Sequence, residues 1–152
     1  MKISGGTQND KTAKQCPEVK EYEILEHAAD LKIRTRGRDL KEAFSNFLKG
    51  IFEFCRPEFE DRKPVVREIR LKAENLESLL IDFLSQILYL SDVNDEVYSA
   101  IDFEILTPRE LKGKITGRKI TRQQAEIKAA TWHELEIKKR DDYWEATVLF
   151  DI

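Results

Sequence analysis

Two acids in this chain stand where carboxylate chemistry is possible. Asp30 lies in YEILEHAADLKI, Tyr22 to Ile33, where two extended stretches meet and His27 precedes two alanines. Asp151 is followed by Ile152, so a side-chain carboxylate lies next to a main-chain one. If Asp30 folds against this end, three carboxylates gather. Their repulsion is relieved only by a cation among them or by protonation of one. Carboxylates are hard oxygen ligands, so such a cluster favours Ca²⁺, Mg²⁺ or Mn²⁺ over Zn²⁺. The alternative is that each acid is simply solvated at a strand end. The residues alone do not bring the three together.

Other reactive side chains are sparse. His27 has the chemistry of a base, a ligand or a nucleophile, but no second His or Cys shares its segment. The plainer reading is a His bonded to backbone at a strand end. Lys128 begins Lys128-Ala129-Ala130-Thr131-Trp132-His133. It is either a contact for phosphate or an acidic partner, or an ordinary solvated lysine with Trp132 packing nearby. His133 falls on the apolar side of its strand pattern and is expected to pack. Cys16 and Cys55 form no CxxC pair, which removes zinc and redox motifs. Cys55 follows an apolar helical face and is expected to be buried. No nucleophile elbow, phosphate loop or dinucleotide fingerprint occurs.

The elements that must carry these residues are legible from periodicity. Tyr22–Leu25 is a short strand. In Leu31–Arg36, Leu31 and Ile33 face one way and Lys32, Arg34 and Arg36 the other. Asp39, with Glu42 three residues on, opens a helix in an Asp version of the capping box. Leu40, Ala43, Phe44, Phe47, Leu48, Ile51 and Phe52 form its apolar stripe, and Pro57 prevents continuation. Asn75 caps a second helix, striped by Leu76, Leu79, Leu80, Phe83, Leu84, Ile87 and Leu88, which is expected to end near Leu90. Strands are expected at Arg67–Ala73, Ile101–Ile105, Leu111–Gly117 and Thr131–Lys138. A turn at Arg140-Asp141-Asp142 leads to a last strand with Trp144, Ala146, Val148 and Phe150 inward. Gly113 and Gly117 suit a bend or close packing. One-sided helices with one-sided strands give an α+β domain, two helices on antiparallel sheet.

A chain of 152 residues supports one such core. Residues 1–20 are polar and expected to be a mobile tail, leaving 21–152 as a single domain. With 26 basic against 29 acidic side chains there is no basic excess of the kind nucleic-acid-binding domains carry. No apolar run spans a bilayer and no signal-peptide pattern precedes the domain, so a cytoplasmic protein is expected.

Three separated segments together resemble the archease family. They are Glu26-His27-Ala28-Ala29-Asp30 followed by a strand, Gly37 and LKEAF; ESLLIDFLSQILYLSD, Glu77 to Asp92; and Lys128 to His133, with the terminal Asp151-Ile152. The resemblance runs from about Tyr22 to the last residue. It implies a small domain in which one strand–helix–strand–strand module is inserted into another. It also implies a protein cofactor, not an enzyme. Its partner would be the RtcB-type RNA ligase, which uses GTP and Mn²⁺ to join RNA ends in tRNA splicing and RNA repair. Archeases promote guanylylation of that ligase and its multiple turnover. They carry a divalent-metal site (Ca, Mg or Mn) built from acids and the C-terminal end. By residue, the resemblance maps the metal ligands to Asp30, Asp151 and Ile152, and partner contacts to Lys128 and His27. Direct sequence-specific nucleic-acid binding and membrane association are not expected. The chain departs from the pattern at Ala28, where Thr is usual, at Ser85-Gln86, where Asn-Glu is usual, and at Trp132, where Tyr is usual. Two other readings use the same residues: a stand-alone metal-dependent phosphoesterase, and a general chaperone or adaptor without metal.

Overall fold

The computed structural model describes residues 20–27 and 29–152. The expectations for residues 1–19, Cys16 included, and for the His27 side chain lie outside this description. The elements are β1 (Tyr22–His27), β2 (Asp30–Gly37), α1 (Leu40–Cys55), β3 (Pro57–Lys72), α2 (Leu76–Asn94), β4 (Glu96–Thr107), β5 (Glu110–Gln123), β6 (Ala129–Lys139) and β7 (Trp144–Asp151). Among the described residues they form a four-stranded sheet, β1-β2-β7-β6, and a three-stranded sheet, β3-β5-β4. Every pairing is antiparallel.

The connectivity is nested. β2, α1, β6 and β7 make one strand–helix–strand–strand module, and β3, α2, β4 and β5 make a second, inserted between α1 and β6. Both helices serve one core. Phe44 of α1 stacks on Phe83 of α2, ring centroids 5.6 Å apart. Phe47 meets Phe150 of β7 edge-on at 6.5 Å, and Phe83 meets Phe103 of β4 at 6.5 Å. Both helical stripes therefore pack into the core, with Leu40, Leu76 and Leu88 partly buried at its edge and Phe52 set against Phe59 outside it, together with Leu31, Ile33, Ala146, Val148 and Phe150 of the larger sheet. Among the described residues no helix is long and apolar enough to cross a membrane.

Helix ends follow from local chemistry. Asp39 Oδ1 accepts from the Glu42 amide at 2.9 Å, and Glu42 Oε1 accepts from the amide of Arg38, one residue before the cap. Asn75 Oδ1 accepts from the Ser78 amide at 2.8 Å. Arg56 and Asp95 close the two helices in the left-handed conformation. α2 runs a turn beyond Leu90, to Asn94. Its polar last turn, which resembles loop in sequence, is held by its own side chains: Asn94 Nδ2 donates to the Leu90 carbonyl at 3.0 Å and Ser91 Oγ to that of Glu96 at 2.5 Å.

β3 and β5 are longer than their apolar alternation indicates, because polar extensions of each pair with the other from Pro57↔Gln123 onward. Gly113 and Gly117 sit opposite two irregularities of β4, at Phe103/Ile105 and Tyr98/Ala100. A Cβ on Gly113 would lie 2.6 Å from the Asp102 carbonyl oxygen. That is the close packing their sequence context suggests. Gly113→Ala is expected to cost about 1–3 kcal/mol, as overpacking against backbone does. Thermal denaturation checks this; an unchanged midpoint would mean that β4 yields freely there.

Candidate functional site

The register of the larger sheet decides the fate of the two acids. Asp30 begins β2 and pairs with His27 of β1 on one side and Asp151 of β7 on the other. Asp151 in turn pairs with Ala129 of β6. Directly opposed residues of an antiparallel ladder point to the same face, with Cβ atoms roughly 4.5–5.5 Å apart. Leu31 and Phe150, one step in, are buried and opposite each other on the core face. Asp30 and Asp151 therefore share the outer face at one end of the sheet. Asp30 is half-buried, and Asp151 and Ile152 are exposed. The Lys128 amide donates to the Asp151 carbonyl at 2.8 Å, which ties the entry of β6 to the same corner.

Of the five site residues expected from sequence, the backbone of all five converges on this corner: Asp30, Asp151 and Ile152, the exposed Lys128 beside them, and His27 across from Asp30. Among the described residues no three Asp, Glu, His or Cys side chains form a metal-type cluster. The corner offers two carboxylate side chains, with the Ile152 main chain one residue beyond Asp151. This donor set is all oxygen. It fits a hard divalent cation that keeps part of its water, and it does not fit the nitrogen and sulfur preference of structural zinc.

Inward from the corner, the outer face is a lattice of ion pairs. Arg36 bonds Glu23 at 2.6 Å and Glu145 at 2.9 Å, and Arg140 reaches Glu145 at 3.2 Å. The hydrogen bond from Arg36 holds the Glu23 carboxyl below its ordinary range. Lys32 bonds Glu134 at 2.8 Å, crossing from β2 to β6 over β7, where Leu149 is buried opposite Lys32. These cations are committed to acids of the lattice.

On the other side of Lys128 lies a cleft of about 510 Å³, lined by Leu88, Tyr89, Asp92, Tyr98, Ile127 and Lys128 among others. Lys128 and Ala129 line this cleft, and Ala129 pairs with Asp151. Cys55 borders the same cleft but is 4% exposed. Burial, reinforced by Glu126, pushes its thiol up to about 11, so it is an inert buried group, as expected from its place after the apolar stripe.

Two expectations about β6 fail. His133 does not pack inward; its side chain is 71% exposed. Trp132 does not pack either and is 57% exposed. The cause is an irregularity between Thr131, opposite Leu149, and Glu136, opposite Thr147. Ile137 faces inward opposite Ala146, but counting back by twos from it is invalid across the bulge. In sequence His133 to Lys138 alternates without a break, so its period carries no sign of the bulge.

Comparison with known proteins agrees with this geometry. A model of the Archease protein family matches residues 22–152. The protein archease of Methanosarcina barkeri is 36% identical over 143 residues, covering 88% of this chain and 97% of that protein. The protein archease of Pyrococcus abyssi is 34% identical over 144 residues, covering 88% of this chain and all of that protein, 100%. Among solved structures, an archease and possible chaperone from Thermotoga maritima has the same fold, with a TM-score of 0.64 at 24% identity over 84% of this chain and 94% of that one. Protein 1598 of Methanobacterium thermoautotrophicum superposes with a TM-score of 0.62 at 25% identity, over 87% of this chain and 99% of that one. With its nested modules, its acidic corner and these relatives, the chain belongs to the archease family.

Proposed function

We propose that this chain is an activator of the RtcB-type RNA ligase, promoting guanylylation of the ligase and its multiple turnover in tRNA splicing and RNA repair. The carrying observation is the pairing of Asp30 with Asp151 at an exposed corner of the sheet, in a chain of the archease family. In this reading Asp30, Asp151 and the Ile152 carboxylate hold a divalent cation, Ca²⁺, Mg²⁺ or Mn²⁺. When bound, that cation supplies the positive charge that lets three carboxylates sit together at a partner's active site. Lys128 and His27 flank the acids and contact the partner. The chain itself joins no RNA. It presents charge and shape to an enzyme that does, and it works in the cytoplasm.

The test is multiple-turnover RNA ligation by the cognate ligase with GTP and Mn²⁺, with and without this protein. Stimulation of ligase guanylylation and of turnover number is expected. No stimulation of a competent ligase would remove the reading. Added Ca²⁺, Mg²⁺ or Mn²⁺ is also expected to raise the melting temperature of the chain alone, because an ion that binds only the native state stabilises it. An unchanged melting temperature with all three ions would favour a metal-free adaptor.

A further inference from the structure

Three non-glycine residues among those described have positive φ: Arg56 at 47°, Asp95 at 53° and Glu134 at 58°. Arg56 and Asp95 end helices, where a left-handed residue is the usual stop. Glu134 ends nothing. It lies within β6, where Trp132, His133, Glu134 and Leu135 together stand opposite the single residue Val148 of β7.

The bulge is held in place at several points. Thr131 Oγ1 donates to the Leu149 carbonyl at 2.9 Å and accepts from the His133 amide at 3.3 Å. Lys32 fixes Glu134 from across β7 at 2.8 Å. A left-handed glutamate is unfavourable on its own; the bulge seats Leu135 against the core but leaves Trp132 and His133 both facing water. Bulges on edge strands re-aim side chains. β6 is an edge strand, and this bulge begins close to the corner where Ala129 pairs with Asp151.

We propose that Trp132 is a docking anchor, seated on binding in an apolar recess of a partner protein beside that protein's active site. The inference rests on the activator reading and names the surface through which it acts. A large rigid aromatic on a fixed backbone is the commonest kind of interface hot spot. The partner is a protein and not RNA because the neighbouring carboxylates of Asp30 and Asp151 repel a phosphate backbone. They complement instead a pocket that holds cations.

The test is the concentration dependence of ligation stimulation for the wild-type chain, Trp132→Ala and Trp132→Phe, with melting temperatures measured in parallel. Trp132→Ala is expected to raise the half-saturating concentration about thirtyfold, the scale of a hot-spot residue, with an unchanged melting temperature. Trp132→Phe is expected to recover most of the loss. An unchanged half-saturating concentration in Trp132→Ala, while wild type stimulates, overturns this inference and leaves the activator reading standing. A large melting shift that accompanies the loss also overturns it, by making Trp132 structural. Weakened binding of single-stranded RNA by Trp132→Ala with an unaltered ligase titration overturns it in favour of base stacking. A wild-type chain that does not stimulate overturns both readings together.

Discussion

Asp30→Ala and Asp151→Ala are each expected to lower stimulation of multiple-turnover ligation by tenfold or more while leaving the domain folded. Each removes one carboxylate from the proposed ligand set of Asp30, Asp151 and the Ile152 carboxylate, and divalent-ion affinity falls with the number of charged oxygen ligands. Neither substitution removes a core side chain, since Asp151 is exposed and Asp30 is half-buried at a strand start. Surface changes of this kind stay within about 0.5 kcal/mol, so melting shifts below about 2 °C are expected. The same variants are expected to lose any stabilisation by added divalent ions. Extending the chain beyond Ile152 with a peptide tag converts that carboxylate to an amide and should reproduce the loss. Full stimulation by the tagged protein would remove Ile152 from the ligand set, and full stimulation by both Ala variants would remove the acidic corner from the mechanism.

The second large effect concerns stability. Arg67→Ala is expected to destabilise the domain and to lower its melting temperature by several degrees. Arg67 holds the buried Glu96 carboxylate with both oxygens engaged, at 3.0 and 2.8 Å, and the Tyr98 hydroxyl donates to it at 2.6 Å. The pair spans β5, whose Gly117 lets the Val97 carbonyl and the Tyr98 ring approach closely. Removing the guanidinium strands a carboxylate that is 3% exposed, although the opening at Arg67, 38% exposed, moderates the cost. The bond from Arg67 is the main cause that brings the Glu96 carboxyl below its ordinary value of 4.5, against the opposing effect of burial; the Tyr98 bond lowers it further. A carboxyl lowered in the folded state adds stability above its unfolded value and loses it as pH falls through the folded one. The gap between wild type and Arg67→Ala should therefore be widest near neutrality and narrow at about pH 3. Melts at the two pH values decide this; a gap that is the same at both would mean that Arg67 acts through packing alone.

The legibility of the fold in the sequence varied with the kind of signal. α1 and α2 were plain because each carries a continuous apolar stripe from a side-chain cap, Asp39 or Asn75. β2 and β7 were plain because Leu31 and Ile33, and Ala146, Val148 and Phe150, alternate cleanly. The polar halves of β3 and β5 were not, since their pairing to one another leaves both faces wet and erases the alternation. The last turn of α2 was hidden because Ser91 and Asn94 are loop formers that here bond backbone. At the site, the chemistry of Asp30 and Asp151 was visible but their meeting was not. Adjacency across β2 and β7 is a matter of register between opposite ends of the domain, and the resemblance to archease supplied what the pattern could not. The β6 bulge escaped both, as no period records a three-residue excess.

The nesting of one module inside the other has a kinetic consequence. Asp30 enters the sheet with the first module's opening strand and Asp151 with its closing strand, and the whole inserted module must fold between them. Pairings that close so long a loop are slow to form, because chain entropy is lost before contacts compensate. The acidic corner is therefore assembled only when native topology is complete. A nascent or partly unfolded chain carries each acid separately, so the pairing of the two acids at this corner is itself a test of whether the chain has folded.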